Sequence, residues 1–313
     1  MKEIAVTSEP LESPLAGDLA APRAAATPAS RLNDYIELTK PRITGMVLVT
    51  TFIGFLLAAS PVKPMLLALT IFGTGLVTAG AQCLNQLWER RTDALMLRTR
   101  NRPIPASRIA PAEALLFGAA LSVVGIATLA VVANPLTSAL AALALGSYLF
   151  VYTPMKRVSP LCTLVGAIPG AIPPVIGWAA ASGHLEAGAL ALFAILFVWQ
   201  MPHFYAIAWM LRDDYARGGF PMISVLDADG SVTGRHAVGW CALLLPASLW
   251  PVAQGMSGLL FAVAAVSLWF AYMAASVGLA RRRDHASARR LLLTSVIYLP
   301  AVLAMLFIDR LFS

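Results

Sequence analysis

Apolar stretches long enough to cross a lipid bilayer recur along most of this 313-residue chain and constrain its fold more than any other feature. A helix that crosses the hydrocarbon core needs about 20 mostly apolar residues. The stretch from Ala237 to Ala280 contains no Asp, Glu, Lys or Arg and is interrupted only near Pro251 and Gly255, so it predicts two spans. Charged residues make up only 12% of the chain, which excludes an ordinary soluble domain.

The apolar pattern predicts an all-α fold, a polytopic membrane bundle of nine transmembrane helices. Several Pro and Gly residues fall within 166–177, so the fifth span is expected to be kinked or broken. The expected spans are approximately 43–60, 65–84, 112–132, 136–153, 160–181, 187–210, 237–252, 256–279 and 291–309.

The distribution of basic residues predicts the orientation of the bundle. If the N-terminus is cytoplasmic, all but two of the 23 Lys and Arg residues fall on the cytoplasmic side, the exceptions being Lys63 and Arg310. Positive charge gathers in cytoplasmic loops, so the C-terminus is expected in the periplasm of a bacterial inner membrane. The basic residues form no single patch, which argues against a nucleic-acid partner.

The chain divides by composition into two parts. Residues 1–32 are rich in Ala, Pro and Ser, lack an apolar run and are predicted to form a flexible cytoplasmic tail. Residues 33–313 are predicted to form the membrane domain. Its two long loops, 85–111 and 211–236, both face the cytoplasm and hold most of the unusual polar residues.

A first polar cluster continues the second span into the cytoplasm. Asn85, Glu89 and Asp93 are spaced four residues apart, which places them within about 80° of one helix face. Two carboxylates and an amide suit Mg²⁺, which binds through a few carboxylates and substrate phosphates. Arg98 and Arg102 follow and could hold phosphate oxygens. The alternative is a solvated helix end whose charges merely pair with one another.

A second polar cluster begins inside the sixth span and leaves it on the same side. Gln200, His203 and Asp214 share one helix face, so Asp214 is expected to face the cavity, and Asp213 points elsewhere. An ionisable side chain inside a span is a functional candidate. His203 is therefore expected to contact the acceptor substrate, and one form of that contact would be ligation of an iron ion. The alternative is a neutral imidazole that makes a hydrogen bond to a neighbouring helix.

A third cluster lies at the cytoplasmic end of the fourth span. Tyr152 and Lys156 are four residues apart and share a face, and Arg157 follows. Such a group is also typical of an interfacial aromatic belt with positive charges beside it.

Together these motifs resemble the intramembrane prenyltransferases of the UbiA type, and within them the heme O synthase branch. The resemblance covers roughly residues 33–309. The residues that carry it are Leu38-Thr-Lys40-Pro41-Arg42, Asn85-x3-Glu89-x3-Asp93-x2-Met96-x-Arg98-Thr99-x2-Arg102-Pro103, Tyr152-Thr-Pro-Met-Lys156-Arg, Trp199-Gln-Met-Pro-His203-Phe, Asp214-Tyr215 and Gly219-Phe-Pro221-Met222.

The resemblance implies nine helices around a central cavity, with a prenyl diphosphate bound through Mg²⁺ between two facing acidic motifs. It implies that farnesyl passes from farnesyl diphosphate to a vinyl group of heme b, giving the hydroxyethylfarnesyl chain of heme O. Aromatic side chains such as Trp88 or Phe204 would stabilise the farnesyl cation. Heme A synthase or an oxidase-assembly factor would be a partner.

Each predicted site residue takes a role from that scheme. The catalytic residues would be Asn85, Glu89, Asp93 and Asp214, of which the three carboxylates would bind the metal. Residues that would hold the diphosphate are Tyr152, Arg98, Arg102, Lys156 and Arg157, and residues that would contact heme are Gln200 and His203.

Two departures from the family pattern reduce the expected number of carboxylates. Many relatives carry Asp where this chain has Gln86 and Glu89, and a further Asp where it has Gly218. Two other functions remain open on the sequence: a prenyltransferase for another aromatic acceptor of the 4-hydroxybenzoate or quinone type, and a non-catalytic transporter of heme or lipid.

Overall fold

The computed structural model describes residues 28–59 and 61–312, and its regular secondary structure within those ranges is helical. A π-helical segment, Ser147–Tyr152, lies between α5 and α6. The α-helices are α1 Pro28–Leu38, α2 Pro41–Ala58, α3 Pro64–Asp93, α4 Pro111–Val132, α5 Pro135–Gly146, α6 Thr153–Met155, α7 Cys162–Ala171, α8 Pro173–Ser182, α9 Ala187–Met210, α10 Arg212–Arg217, α11 Ile223–Leu226, α12 Ser231–Ala253, α13 Leu259–Arg282 and α14 His285–Phe312.

Nine helical segments of the described residues are long and apolar enough to cross a membrane, which confirms the predicted number of spans. Six of these helices, as described, begin at a proline: α1, α2, α3, α4, α5 and α8. Proline suits that position for two reasons. The N–H groups of the first turn have no acceptor within the helix, so proline loses no hydrogen bond there, and its fixed φ is already helical. Prolines therefore set where several spans begin.

The predicted boundary between the tail and the membrane domain falls inside α1. Residues 1–27 of the predicted tail lie outside the described residues, whereas 28–32 form the first turns of α1. This helix is held against the bundle, because Arg31 forms an ion pair with Glu113 and Tyr35 packs edge-on against Phe117. Leu38 at its end is fully buried. The helix α1 therefore includes residues on both sides of the predicted boundary at 33.

The fifth span is broken where the sequence predicts it. It consists of α7, which ends at Ala171, and α8, which starts at Pro173. The second half packs very closely against α2: a Cβ on Gly54 would collide with the Pro174 carbonyl, and one on Gly177 with the Thr51 carbonyl. Small residues allow such close approach between membrane helices. In lipid, helices associate mainly through van der Waals packing, because the hydrophobic effect gives no driving force between them.

All of the first six spans except the third, α4, line a central cavity of about 360 Å³. Its wall is formed by α2, α3, α5 with the π-helical segment, α7, α8 and α9. The last three spans, α12–α14, instead pack their apolar faces against α9 in the largest buried cluster of the protein. The cavity implied by the resemblance is therefore present, and α9 contributes both to its wall and to this apolar cluster.

Both long loops lie at one end of the bundle, here named the motif end. The backbone N–H groups of Leu97 and Arg98, in the segment 94–110, donate to the carboxylate of Asp214 in α10. Lys40 and the last turns of α3 lie at this end as well, since Lys40 bonds to Asn85. That the motif end faces the cytoplasm stays a prediction.

Candidate active site

The last three turns of α3 carry a row of buried polar side chains. Asn85, Glu89 and Asp93 are 1%, 5% and 1% exposed. They belong to one uninterrupted helix, so their four-residue spacing places them on the same face, as predicted. A solvated helix end would leave these groups in water, so their burial contradicts that alternative.

Each carboxylate of the row is paired with a cation from another segment. Lys156 Nζ lies 2.8 Å from Glu89 Oε1, and Arg102 Nη1 lies 2.7 Å from Asp93 Oδ2. The second oxygen of Asp93, Oδ1, is buried and has no hydrogen-bond partner in the described part of the chain. An unsatisfied buried carboxylate oxygen is unfavourable, so Oδ1 has the character of a ligand position.

The π-helical segment supplies aromatic rings beside these charges. Tyr148 and Tyr152 stack with their centroids 5.4 Å apart, and Lys156 Nζ lies 4.6 Å from the Tyr152 centroid. Burial by itself would lower the pKa of Lys156, but Tyr152 and Glu89 hold it well above its usual value. Lys156 is therefore a fixed cation, and both residues lie where the sequence predicts. π-Helical turns frequently mark functional sites.

Lys40 is a site residue that the sequence analysis missed. Its Nζ donates to Asn85 Oδ1 at 3.3 Å, and Asn85 Nδ2 in turn donates to Thr153 Oγ1 at 3.1 Å. Lys40 has a φ of 46°, in the left-handed region that is strained for a residue other than glycine. The sequence shows Lys40 only as a cytoplasmic charge within the motif Leu38–Arg42, and its position before Pro41 indicates a break between helices but no role at the site.

The pKa of Lys40 reflects its crowded surroundings. Burial and the nearby charges of Arg102 and Lys156 lower it from 10.5 to about 7, although Glu89 and Asp93 act in the opposite direction. Three cations therefore meet two carboxylates at the motif end. A cluster with this excess of positive charge is suited to an anion that carries several negative charges.

The cavity opens directly beneath this cluster. Lys40, Gln82, Tyr148 and Tyr152 line its upper part, and mostly apolar side chains line the remainder. The Tyr148 hydroxyl donates to Gln82 Oε1 at 3.3 Å, which fixes the ring at the entrance. The site therefore joins a polar head to an apolar pocket, a shape that fits a lipid-like molecule with a charged head.

Two of the predicted anion-binding residues do not join the cluster. Arg98 and Arg157 are both exposed, and neither makes a side-chain contact with the carboxylates of α3. Arg98 contributes only its backbone N–H, which donates to Asp214. Arg102 and Lys156 are the predicted basic residues that reach the site.

Asp214 does not lie where the helix-face prediction placed it. The helix α9 ends at Met210, and Leu211 has non-helical backbone angles, so the rotation per residue is not continuous as far as Asp214. The carboxylate of Asp214 accepts the Leu97 and Arg98 N–H groups at 3.0 and 3.4 Å and pairs with Arg217. In this structure it fastens the segment 94–110 rather than facing the cavity.

The pKa of Asp214 agrees with this role. Burial would raise it, but hydrogen bonds from Arg217 and from the Leu97 and Arg98 N–H groups hold it below its usual value. Within the described ranges, no three His, Cys, Asp or Glu side chains gather as a metal site. Glu89 and Asp93 thus offer two carboxylates, to be completed by ligands from a bound molecule.

Replacing Asp214 by Ala is expected to loosen the segment 94–110. Hydrogen bonds to a charged group contribute about 1.5–3 kcal/mol, so the Leu97 amide should exchange with solvent roughly tenfold faster or more. Hydrogen exchange with mass detection measures this. Asp213→Ala is the matched control, because Asp213 is exposed and contacts only Arg212. Equal protection in both variants would contradict the fastening role.

The two residues predicted to contact the acceptor have different neighbours, although both belong to the helix α9. Gln200 lines the cavity, where its Nε2 donates to the Ala167 carbonyl at 2.7 Å. His203 turns towards α14, where its Nδ1 lies 2.7 Å from Ser295 Oγ. Gln200 therefore lines the cavity, His203 is not among the residues that line it, and contact of either residue with an acceptor stays a prediction.

A larger open groove of about 820 Å³ lies outside the bundle, between α1 and the start of α4. It is lined by Arg31, Arg90, Arg91 and Arg108 together with Glu113. None of the predicted site residues lines it, and two of its arginines already pair with acidic residues. The central cavity, not this groove, is the candidate active site.

Comparison with known proteins agrees with this description. Residues 47–299 match the UbiA prenyltransferase family. Among curated proteins, the protoheme IX farnesyltransferase of Solibacter usitatus is 47% identical over 291 residues, which cover 89% of this chain and 99% of that protein. The protoheme IX farnesyltransferase of Koribacter versatilis is 41% identical, covering 93% and 97%.

Solved structures share the fold. A digeranylgeranylglyceryl phosphate synthase superposes with a TM-score of 0.76 at 15% identity, covering 90% of this chain and 99% of that chain. A UbiA homologue from Archaeoglobus fulgidus, solved with GPP and Mg²⁺, gives a TM-score of 0.63 at 16% identity, covering 87% and 99%. The matched residues, the identity to curated relatives and the helical fold together place this chain in the UbiA prenyltransferase family.

Proposed function

We propose that this protein converts heme b to heme O by transferring farnesyl from farnesyl diphosphate to a heme vinyl group. The observation that carries the proposal is the row of buried carboxylates and cations at the head of an apolar cavity. The acceptor is taken from the curated relatives, which are named protoheme IX farnesyltransferases. Both substrates are membrane-soluble, which explains why the cavity lies between membrane spans.

The diphosphate head belongs at the polar cluster. Lys40, Arg102 and Lys156 would bind its oxygens, and Glu89 and Asp93, with Asn85 beside them, would hold Mg²⁺ against it. The unpartnered Oδ1 of Asp93 supports this fit. When bound, Mg²⁺ supplies charge neutralisation that makes the diphosphate a better leaving group. Before the diphosphate binds, Arg102 and Lys156 neutralise the negative charges of Asp93 and Glu89, which lowers the cost of burying these carboxylates.

The aromatic rings at the cavity entrance are placed to stabilise the allylic cation. When the carbon–oxygen bond of farnesyl diphosphate breaks, the electron pair leaves with the diphosphate and positive charge spreads over the allylic carbons. Tyr148, Tyr152 and Phe204 line the cavity and present π-systems to it. Trp88 does not share this role, because it points out of the bundle and is 43% exposed.

The remaining steps form the hydroxyethylfarnesyl side chain. The heme vinyl carbon attacks the farnesyl C1 and forms the new carbon–carbon bond, which leaves positive charge on the carbon next to the porphyrin ring. Water adds to that carbon and releases one proton, so the products are heme O, diphosphate and a proton. The apolar wall of the cavity limits access of water to the earlier cation, which favours prenyl transfer over hydrolysis.

The bacterial inner membrane, with the motif end in the cytoplasm, is the proposed location, because nearly all basic residues lie on that side. A heme A synthase or an oxidase-assembly factor is the proposed recipient of heme O. This proposal rests on product chemistry, since heme O is membrane-bound and must be handed on.

Diphosphate affinity is expected to fall as the pH rises above about 7. Lys40 has a pKa of about 7 in the free protein, and a bound diphosphate would favour its protonated form, so binding takes up a proton. Affinity should therefore weaken by up to roughly tenfold per pH unit above this pKa. Calorimetry in buffers of different ionisation enthalpy measures the proton uptake.

Lys40→Arg is the control, because arginine stays protonated and should flatten the pH dependence. Proton uptake that is unchanged in this variant would contradict the assignment to Lys40. For folding, the unfolded chain holds the Lys40 proton between pH 7 and 10.5 while the folded chain does not. The contribution of Lys40 to the free energy of unfolding therefore increases with pH across that window.

The function is tested by pigment analysis. The chain is expressed in a bacterium that lacks its own heme O synthase, and extracted hemes are separated by reverse-phase chromatography with mass detection. A farnesylated heme is expected. Well-folded protein with heme b alone would contradict the heme acceptor and favour a quinone-type acceptor, whereas movement of heme between liposomes without pyrophosphate release would favour a transporter.

A further inference from the structure

Two carboxamide side chains line the cavity, whose wall is otherwise mostly apolar. Gln82 of α3 and Gln200 of α9 both belong to this wall, and they are only 7% and 4% exposed. Each is bonded to the protein through only one of its two polar atoms. A carboxamide can make up to four hydrogen bonds, so each glutamine retains capacity for a small polar molecule.

Gln82 lies just below the polar cluster. Its Oε1 accepts the hydroxyl of Tyr148 at 3.3 Å, and its Nε2 makes no hydrogen bond to another described residue. Gln82 precedes Asn85 by three residues in the same helix, so it lies about 4.5 Å farther from the motif end along the axis. If a prenyl diphosphate binds at the cluster, its first carbon would lie at about this depth.

Gln200 offers the opposite kind of atom. Its Nε2 donates to the Ala167 carbonyl at 2.7 Å, and its Oε1 makes no hydrogen bond within the part of the chain that the structure describes. This oxygen lies against Gly170, where a Cβ would collide with it, so glycine leaves the room that the oxygen needs. Gly166, next to Ala167, packs against the Tyr152 ring. Gln200 therefore also lies near the aromatic entrance.

The proposed reaction places two opposite requirements on water. The farnesyl cation must be kept from water, whereas the later cation, next to the porphyrin ring, must receive one water molecule. Without that water, the later cation would lose a proton and give an alkene. Free entry of water would meet the second requirement but not the first, so one water molecule held in a fixed position suits the chemistry.

We propose that Gln82 and Gln200 bind the water molecule that adds to the cation beside the porphyrin ring. This inference rests on the proposed function. Gln82 Nε2 donates to one lone pair of the water, and Gln200 Oε1 accepts one of its hydrogens, because water both accepts and donates. The second lone pair of the water forms the new carbon–oxygen bond. The water then loses one proton to the diphosphate held at the polar cluster, and both glutamines stay neutral.

The test is the ratio of hydrated to unhydrated product that the purified full chain makes in liposomes with heme b, farnesyl diphosphate and Mg²⁺. Mass detection separates the two products, because the unhydrated one is lighter by one water molecule. The wild-type protein is expected to make mainly heme O. In Gln82→Met and Gln200→Met the ratio should fall by about tenfold, the loss expected when a hydrogen bond to the attacking water is removed. Both products come from the same sample, so the ratio does not depend on how much of a variant folds.

Gly170→Ala tests the same position without removing a polar group. The new Cβ would displace Gln200 Oε1, so the product ratio should fall as it does in Gln200→Met. Thr74→Val is the matched control. Thr74 also lines the cavity, and its buried Oγ1 has no partner among the described residues, but it lies about 12 Å from Gln82 along α3. The ratio in this variant should equal that of the wild type.

The outcomes separate this inference from the proposed function. If wild-type protein makes heme O and all three variants make it in an unchanged ratio, the glutamines do not hold the water, and the function stands. A fall in Thr74→Val as large as in the glutamine variants would also contradict the inference, because the effect would then belong to the cavity as a whole. If wild-type protein makes no farnesylated heme, the proposed function fails, and this inference fails with it.

Discussion

Asp93→Asn is expected to reduce the turnover of farnesyl diphosphate by at least roughly a hundredfold, because groups that stabilise developing charge contribute that much or more. Asparagine keeps the size of the side chain but removes the charge that would hold Mg²⁺ and that now pairs with Arg102 at 2.7 Å. It also converts one of the two carboxylate oxygens, of which Oδ1 has no partner among the described residues, into an amide nitrogen. Release of pyrophosphate by purified protein measures the effect.

Asp213→Asn is the matched control for this variant. Asp213 is also at the motif end, but its side chain is 83% exposed and pairs only with neighbouring Arg212 at 3.7 Å. Its loss should leave turnover within about twofold, because exposed ion pairs contribute little. If Asp93→Asn kept wild-type turnover and thermal stability, the carboxylate row would not be the diphosphate site.

Lys156→Met is expected to destabilise the protein by about 3 kcal/mol, in addition to weakening diphosphate binding. Lys156 and Glu89 form a largely enclosed ion pair, with 14% and 7% of their side chains exposed. Removing one partner of such a pair leaves an uncompensated charge, which is far less favourable than removing both. Thermal unfolding in detergent measures the loss.

The double variant Glu89→Gln with Lys156→Met separates stability from catalysis. Stability should return towards the wild-type value, because no unpaired charge remains. Turnover should stay low, because both the metal-binding carboxylate and the cation for diphosphate are gone. Additive loss of stability in the double variant would show that the two residues do not act as a pair.

Side-chain positions are predicted most accurately from the sequence where a single helix continues without interruption. The row Asn85, Glu89 and Asp93 was placed on one face because α3 is a single helix from Pro64 to Asp93. The spans follow from the length of apolar runs, since a helix in lipid must satisfy its own backbone. Predicted helix ends are less accurate, because hydropathy marks the apolar layer and α3 continues beyond it.

The sequence-based predictions are wrong or incomplete where the chain changes direction, and where a side chain can contact more than one neighbouring segment. The break at Leu211 moves Asp214 off the face of α9, and it then meets the N–H groups of Leu97 and Arg98. Lys40 enters the cluster through a left-handed backbone conformation. Periodicity describes regular helices only, so neither position could be calculated from it.

The most direct measurement is product analysis with the purified protein in liposomes that contain heme b and farnesyl diphosphate, in water enriched in heavy oxygen. One pyrophosphate should be released for each heme consumed, and the product should carry one farnesyl group and one heavy oxygen atom. A product without heavy oxygen would contradict the hydration step. Pyrophosphate release with heme b unchanged would contradict the transfer of farnesyl to heme.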